Sequence, residues 1–175
     1  MTALKVCGIT RATDAELCAS LGVERIGLNF WVGSVRRCTH EAAAEIVERV
    51  GDRIEIVAIT VDATESELRA IVELGIRRVQ LHGDAPGVPH AGLPIEAYEA
   101  VRLRDETSVA RALAAVGDEV LVDAFVAGMP GGTGAHVDRA LAARIASQRR
   151  TWVAGGLTPE NVADVIAVVR PYGVD

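Results

Sequence analysis

The sequence predicts an α/β protein, a parallel TIM (β/α)8 barrel whose eighth βα unit is missing or truncated. Short aliphatic and β-branched runs alternate with helical patterns, and brief glycine- or proline-containing segments separate them. Half of the residues are hydrophobic but only 3% are aromatic, which indicates an aliphatic core. Because 175 residues suffice to bury a large core, we expect a single domain over residues 1–175.

The alternation predicts seven strands and six helices. The strands are expected at residues 4–7, 25–29, 54–60, 78–81, 95–101, 120–123 and 151–154. The helices are expected at residues 13–21, 41–50, 65–74, 108–116, 137–147 and 159–169. Thr39 and Thr158 are predicted helix starts, because a hydroxyl followed by an acidic first turn satisfies free backbone donors. Four glycines are predicted helix stops, namely Gly22, Gly51, Gly75 and Gly117.

Two segments depart from the regular repeat. Residues 82–94 contain three prolines and three glycines without a helical period, so we expect the fourth crossover to lack a helix. An eighth strand begins at residues 173–175, where the sequence ends. Without a full partner strand, the first and seventh strands are expected to keep open edges.

Composition excludes several classes of function. A net charge of −6 argues against a nucleic-acid surface, because phosphate backbones require clustered Lys and Arg. The three cysteines have neither disulfide-framework nor metal-ligand spacing, so we expect reduced thiols and no metal site. No leader and no membrane-spanning stretch is recognisable. The sequence therefore predicts a soluble cytoplasmic protein.

Candidate functional residues follow the predicted strands, where α/β folds bind their ligands. Asp123 ends the sixth strand, and the glycine-rich residues 131–134 after it are either a phosphate cradle or an ordinary turn. Gly155 and Gly156 follow the seventh strand directly before a helix. Since barrels often hold phosphate after their last strands, the second glycine loop favours the phosphate interpretation.

The first, second and fourth strands supply further candidates. Cys7 ends the first strand on the same face as Lys5, so it is either a reactive thiol near a cation or a small buried residue. Arg36 and Arg37 lie in an aromatic loop and could bind a planar anion, or form a solvated pair. His82 shares a face with Gln80, and we expect it to be a pocket wall.

Four motifs resemble those of the phosphoribosylanthranilate isomerases, in the same order along the chain. They are Lys-Val-Cys-Gly-Ile-Thr-Arg from Lys5, Gln-Leu-His-Gly-Asp from Gln80, Val-Asp-Ala with Pro-Gly-Gly-Thr-Gly from Val122, and Ala-Gly-Gly-Leu-Thr-Pro-Glu-Asn-Val from Ala154. The resemblance covers nearly the whole chain. It implies a TIM barrel that isomerises N-(5-phosphoribosyl)anthranilate in tryptophan biosynthesis, by an Amadori rearrangement without a cofactor.

The resemblance also implies roles for individual residues. Asp123 is expected to be the general acid, Cys7 the general base and Arg36 the group that binds the substrate carboxylate. Gly132, Thr133 and Gly134, together with Gly155 and Gly156, are expected to bind phosphate. A free Asp is ionised and a free thiol protonated at neutral pH, so apolar walls must raise the pKa of Asp123 and cations must lower that of Cys7.

The sequence differs from the family pattern in the loop after the second strand. A Lys-Ser-Pro-Arg sequence is usual there, whereas this chain has Gly-Ser-Val-Arg ending at Arg36, which leaves open whether Arg36 or Arg37 meets the carboxylate. Two alternative functions are an inactive barrel remnant that binds a phosphorylated ligand or a partner, and another phosphosugar isomerase or epimerase. The expected partner is a phosphorylated small molecule, with no nucleic acid or membrane, and the expected assembly is a monomer or homodimer.

Overall fold

The computed structural model describes residues 1–83, 91–124 and 137–175. Its eight strands are parallel neighbours in chain order and form a closed barrel, which confirms the predicted (β/α)8 fold class. The elements are β1 (Ala3–Cys7), α1 (Ala12–Ser20), β2 (Arg25–Asn29), α2 (His40–Val50), β3 (Glu55–Val61), α3 (Glu65–Glu73), β4 (Arg78–His82), β5 (Glu96–Leu103), α4 (Glu106–Ala114), β6 (Glu119–Ala124), α5 (Arg139–Ala146), β7 (Arg150–Val153), α6 (Val162–Val169) and β8 (Gly173–Val174). The contacts of the chain divide it into two compact units, Leu4–Ala97 and Met1–Ala3 with Tyr98–Asp175.

In the unit Leu4–Ala97, the two faces of the strands have different chemistry. The face that carries Ile26, Ala58 and Val79 joins the apolar core with residues of α1, α2 and α3. Side chains alternate along a strand, so neighbouring positions point to the opposite face. That face carries the buried Lys5 and Arg25.

Three charges on this second face, those of Arg25, Glu55 and Arg78, are paired with one another. The Glu55 carboxylate accepts from the Arg78 guanidinium at 2.7 Å and also pairs with Arg25, its register neighbour on β2. Buried charge is tolerated when it is paired in this way. The polar face is therefore built into the strands, and it leads along β1 and β4 toward Cys7 and His82.

The unit Met1–Ala3 with Tyr98–Asp175 contains β6, β7 and β8 as parallel neighbours. Trp152 on β7 is fully buried, and its indole N–H donates to the Glu119 carboxylate at 3.0 Å. The Trp152 ring occupies the space where a Cβ on Gly173 would lie, so a glycine is required at this position of β8. Packing of a large ring against a bare backbone thus fixes the eighth strand.

This eighth strand corrects the expectation of open edges. Trp152 and Val153 on β7 pair in register with the two residues of β8. At the other side, the Ala3 amide of β1 donates to the Tyr172 carbonyl at 2.9 Å. The prediction of open edges on the first and seventh strands is therefore wrong, because two residues suffice to continue the ladder.

The helix starts are partly as predicted. Thr39 caps α2, and its side chain accepts from the Ala42 amide at 3.2 Å. The predicted start at Thr158 is wrong, since α6 begins at Val162 and Asn161 is its cap residue. Residues 159–161 form a turn instead, closed by bonds from the Asn161 and Val162 amides to the Thr158 carbonyl. Between β4 and β5, residues 83 and 91–95 contain no helix, while residues 84–90 lie outside the described part of the chain.

Candidate active site

Cys7 is the last residue of β1 and is half-buried. Its register neighbour on β2 is Gly27, and a Cβ at Gly27 would lie 3.3 Å from the Cys7 sulfur and 2.6 Å from Cδ1 of Ile59. The bare backbone of Gly27 therefore makes the space that the thiol occupies. Lys5, two residues earlier on the same face, is only 1% exposed.

Arg36 reaches the end of β1 from the loop after β2. Its Nη1 donates to the Cys7 carbonyl at 2.7 Å. The next residue, Gly8, has a φ of +82°, and a Cβ there would lie 2.7 Å from the same nitrogen. Only glycine combines this backbone conformation with so close a cation. Of the two neighbouring arginines, Arg36 is thus the one whose guanidinium this contact brings to Cys7.

His82 ends β4 and is held from two sides. The Gln80 side chain, which is 2% exposed, approaches it with 2.6 Å between the two Nε2 atoms. The His82 carbonyl accepts from the Asp62 amide at 3.0 Å, and the Asp62 carboxylate fills the space beside Gly83. The Gln80 side chain therefore contacts the ring, and the end of β3 holds the backbone that carries it.

Asp123 lies next to the carboxyl end of β6 and is 9% exposed. Its Oδ1 accepts from the following amide, that of Ala124, at 2.7 Å. Gly155 lies against this carboxylate, because a Cβ on Gly155 would be 2.6 Å from Oδ1 and 2.8 Å from the Ala124 nitrogen. The loop after β7 and the carboxylate on β6 therefore form one packed group.

The same loop has two consecutive glycines in unusual conformations. Gly155 has a φ of +93° and Gly156 a φ of +64°, which L side chains adopt only under strain. Asn161 holds the loop, since its side chain donates to the Gly156 carbonyl at 2.8 Å and accepts from the Thr158 amide at 2.9 Å. A fixed backbone without side chains lets an anion approach closely. The predicted helix directly after these glycines is absent, since α6 begins at Val162.

Several contacts of this site had only a weak signal in the sequence. Asn161 was not predicted to have a role, although it stands in one of the family-like motifs. The contact of Arg36 with Cys7 links residues 29 positions apart and has no local signature. Gly27 could have been found as a glycine inside an apolar strand, which commonly marks a close approach. The predicted phosphate residues Gly132, Thr133 and Gly134 lie outside the described residues.

The thiols differ in their surroundings. Cys7, Cys18 and Cys38 form no disulfide with one another. Burial raises the pKa of Cys38 to about 11, and it also raises the pKa of Cys18, with Asp14 adding to the effect. Cys7 is the thiol that combines partial exposure with a neighbouring guanidinium.

Within residues 1–83, 91–124 and 137–175, no group of three His, Cys, Asp or Glu side chains is arranged to hold a metal ion. No helix in the same ranges is long and apolar enough to cross a membrane. A shallow cleft of about 530 Å³ lies at the amino ends of β2 and β3, lined by Glu24, Asp52 and Arg53 among others. None of the predicted site residues lines it.

Comparison with known proteins agrees with the motifs. A family model described as N-(5'-phosphoribosyl)anthranilate (PRA) isomerase matches residues 4–175. The N-(5'-phosphoribosyl)anthranilate isomerase of Thiobacillus denitrificans is 36% identical over 179 residues, covering 98% of this chain and 85% of that protein. The crystal structure of phosphoribosyl anthranilate isomerase from Thermus thermophilus superposes with a TM-score of 0.87 at 33% identity, covering 99% of this chain and 86% of the other.

A further solved structure contains a ligand. It is a phosphoribosyl anthranilate isomerase in complex with reduced 1-(O-carboxyphenylamino)-1-deoxyribulose 5-phosphate. Its TM-score is 0.83 at 28% identity, and the match covers 100% of this chain and 86% of that one. With a family match over almost its entire length and relatives above 30% identity, the chain belongs to the N-(5'-phosphoribosyl)anthranilate isomerase family.

Proposed function

We propose that this chain converts N-(5'-phosphoribosyl)anthranilate into its 1-deoxyribulose 5-phosphate isomer, with Asp123 as general acid and Cys7 as general base. The observation that carries the proposal is the family match over residues 4–175, together with a carboxyl and a thiol at the carboxyl ends of two barrel strands. In parallel barrels these strand ends share the face where substrates bind. The proposal therefore requires Cys7 and Asp123 to serve one substrate.

The first step requires a proton donor. Asp123 gives a proton to the ribose ring oxygen, the bond from this oxygen to C1 breaks, and the anthranilate nitrogen forms a Schiff base with C1. The position of Asp123 next to the carboxyl end of β6 supports this role, because substrates bind at that end of the strands in parallel barrels. Packing against Gly155 keeps the group at one position.

The second step requires a base. Cys7 removes the proton from C2 of the protonated Schiff base, the electron pair of that bond forms the C1–C2 double bond, and the C=N pair returns to nitrogen, which gives an enolamine. A proton then adds at C1 while the C2 hydroxyl loses its proton to water, and the ketone is complete. The Arg36 guanidinium on the Cys7 carbonyl supports this role, because a nearby cation favours the thiolate. No oxidant, metal or cofactor enters this balance of protons and electrons.

Binding is assigned to the groups around these two residues. The anthranilate carboxylate is assigned to Arg36, because a guanidinium has five donors and the bond to the Cys7 carbonyl uses one of them. His82 forms a wall of the pocket. The phosphate is assigned to the glycine loop held by Asn161 and to Gly132, Thr133 and Gly134. The protein is proposed to act in the cytoplasm, as a monomer or a homodimer.

The test is loss of substrate fluorescence with the purified protein. Cys7→Ala and Asp123→Asn are each expected to reduce turnover at least a hundredfold, about the lower range for acid–base groups. The matched controls are Cys18→Ala in α1 and Asp118→Asn before the amino end of β6, which remove a thiol and a carboxylate away from the carboxyl ends of the strands and should retain turnover. Near-normal turnover in either test variant refutes that residue's role, and substrate binding without turnover in the unaltered protein indicates an inactive remnant.

A further inference from the structure

The end of β1 is fixed from two directions. On one side the Gly8 and Ile9 amides both donate to the Gly27 carbonyl, at 2.9 and 3.0 Å. On the other side Arg36 donates to the Cys7 carbonyl at 2.7 Å. The chain therefore turns immediately after the thiol, and the peptide that carries the Cys7 carbonyl is held between β2 and a guanidinium.

The turn itself depends on Gly8. Its φ of +82° lets the chain leave the strand direction without strain. The space that a side chain would fill there is taken by the guanidinium, whose nitrogens and carbon would lie 2.7–2.9 Å from a Cβ. Arg36 thus packs on this turn as well as bonding to it.

The loop that carries Arg36 is itself ordered by short-range bonds. The Arg36 amide donates to the Ser34 hydroxyl at 3.1 Å, and the Cys38 amide donates to the Asn29 carbonyl at 2.7 Å. The bond from Cys38 to Asn29 joins the two ends of the loop, and the bond to Ser34 fixes the backbone of Arg36 itself. The Arg36 side chain therefore extends to β1 from a fixed backbone. An arginine on an untied loop would lose more side-chain entropy in making the same bond.

We propose that Arg36 is a positioning residue for Cys7, a role that rests on the proposed function of Cys7 as the base. Anchoring the carbonyl of a residue restricts the direction of its Cα–Cβ bond, so the guanidinium limits the positions that the sulfur can reach. A misplacement of about 1 Å can cost on the order of a hundredfold in rate. The same side chain that meets the substrate carboxylate then also aligns the base.

The primary measurement is hydrogen exchange of single backbone amides in the protein without substrate. Arg36→Met is expected to reduce the protection of the Gly8 and Ile9 amides at least tenfold while the Val6 amide inside β1 is unchanged. Arg37→Met is the matched control, because it removes the neighbouring guanidinium and leaves the bond to Cys7 intact. In this control the two amides should stay within about twofold of the unaltered protein.

Steady-state kinetics give the second measurement. A residue that only binds the carboxylate would mainly raise KM when removed, whereas a positioning role also lowers kcat, here by at least tenfold in Arg36→Met. Arg36→Lys keeps the charge and one donor, so it should recover part of the amide protection and part of kcat. If Arg36→Met does not fold, amide protection and kcat are measured on Arg36→Lys instead.

The outcomes separate this inference from the proposed function. Unchanged protection of Gly8 and Ile9 in Arg36→Met, or in Arg36→Lys if the first variant does not fold, overturns the positioning role, whatever happens to activity. If Cys7→Ala retains turnover, the base is wrongly assigned, although the anchored turn can still be measured. Loss of protection with a KM effect alone also contradicts the proposal, because the alignment would then not serve the reaction.

Discussion

Replacing Gly155 with alanine is the sharpest test of how the loop after β7 is fitted to Asp123. A Cβ at this position would meet Oδ1 of Asp123 at 2.6 Å and the Ala124 nitrogen at 2.8 Å. The second contact is with backbone, which cannot move aside as a flexible side chain could. Real Cβ atoms essentially never approach this closely, so the loop, the carboxylate or β6 must shift.

The expected cost has two parts. A φ of +93° strains an L residue by about 1–2 kcal/mol, and overpacking at a closely packed position adds about 1–3 kcal/mol. We therefore expect Gly155→Ala to lower the free energy of unfolding by about 2–5 kcal/mol. Because Asp123 is displaced as well, turnover should fall at least about tenfold.

The control is Gly22→Ala. Gly22 has a φ of +75°, but nothing lies within 4 Å of a Cβ added there. Gly22→Ala should therefore show only the cost of backbone strain, so the unfolding free energies of the two variants should differ by about 1–3 kcal/mol. With a urea dependence of about 2 kcal/mol per molar, the Gly155 midpoint should lie about 0.5–1.5 M lower than that of the control.

Two results would count against this reasoning. Equal midpoints for the two variants would mean that the crowding between Gly155 and Asp123 is absent in solution. A Gly155→Ala protein that is destabilised as expected but turns over normally would mean that the position of the carboxyl does not matter, which contradicts the acid role of Asp123.

Three further predictions concern other parts of the chain. Iodoacetamide at pH 8 should modify Cys7 at least about tenfold faster than Cys38, because a pKa of about 11 keeps the Cys38 thiol protonated. Peptide mapping by mass spectrometry measures both rates, and equal rates would contradict the environments assigned to the two thiols. Hydrogen bonds from Thr64 lower the pKa of Glu67. The ionised Glu67 carboxylate therefore stabilises the folded protein above the ordinary carboxyl pKa of about 4.3, and this stabilisation is lost as the pH falls through the lowered pKa. Glu67→Gln should therefore be less stable than the unaltered protein at pH 7 but equal to it near pH 2, and a constant difference in urea unfolding would refute this. Arg149 donates to five backbone carbonyls around the link from α4 to β6, so Arg149→Met should lower the unfolding free energy by about 2–4 kcal/mol in the same assay; a loss below about 0.5 kcal/mol, typical of an exposed residue, would show that these bonds contribute little.

The sequence alone was sufficient for the fold class, for the family and for the strand ends that carry Cys7 and Asp123. These properties depend on local patterns, namely the alternation of strand and helix periods and short motifs read in order. The cap of α2 at Thr39 was predictable for the same reason, because its hydroxyl bonds to an amide only three residues away.

The tertiary structure decided what depends on residues that are distant in the sequence. The start of α6 shifted to Val162 because Asn161 ties the preceding turn to Gly156, which competes with a cap at Thr158. The eighth strand formed because Trp152 packs against Gly173 and brings two residues into register. Neither contact has a periodic signal, since each joins side chains and backbone through space.

The choice between Arg36 and Arg37 shows the physical reason most clearly. Both have the same charge, length and local surroundings in the sequence. Which of the two guanidiniums packs on Gly8 depends on the register of β1 with β2 and on the path of the loop between them. Local propensity fixes where an element begins and which face is apolar, but long-range register determines which of two equivalent side chains reaches Cys7.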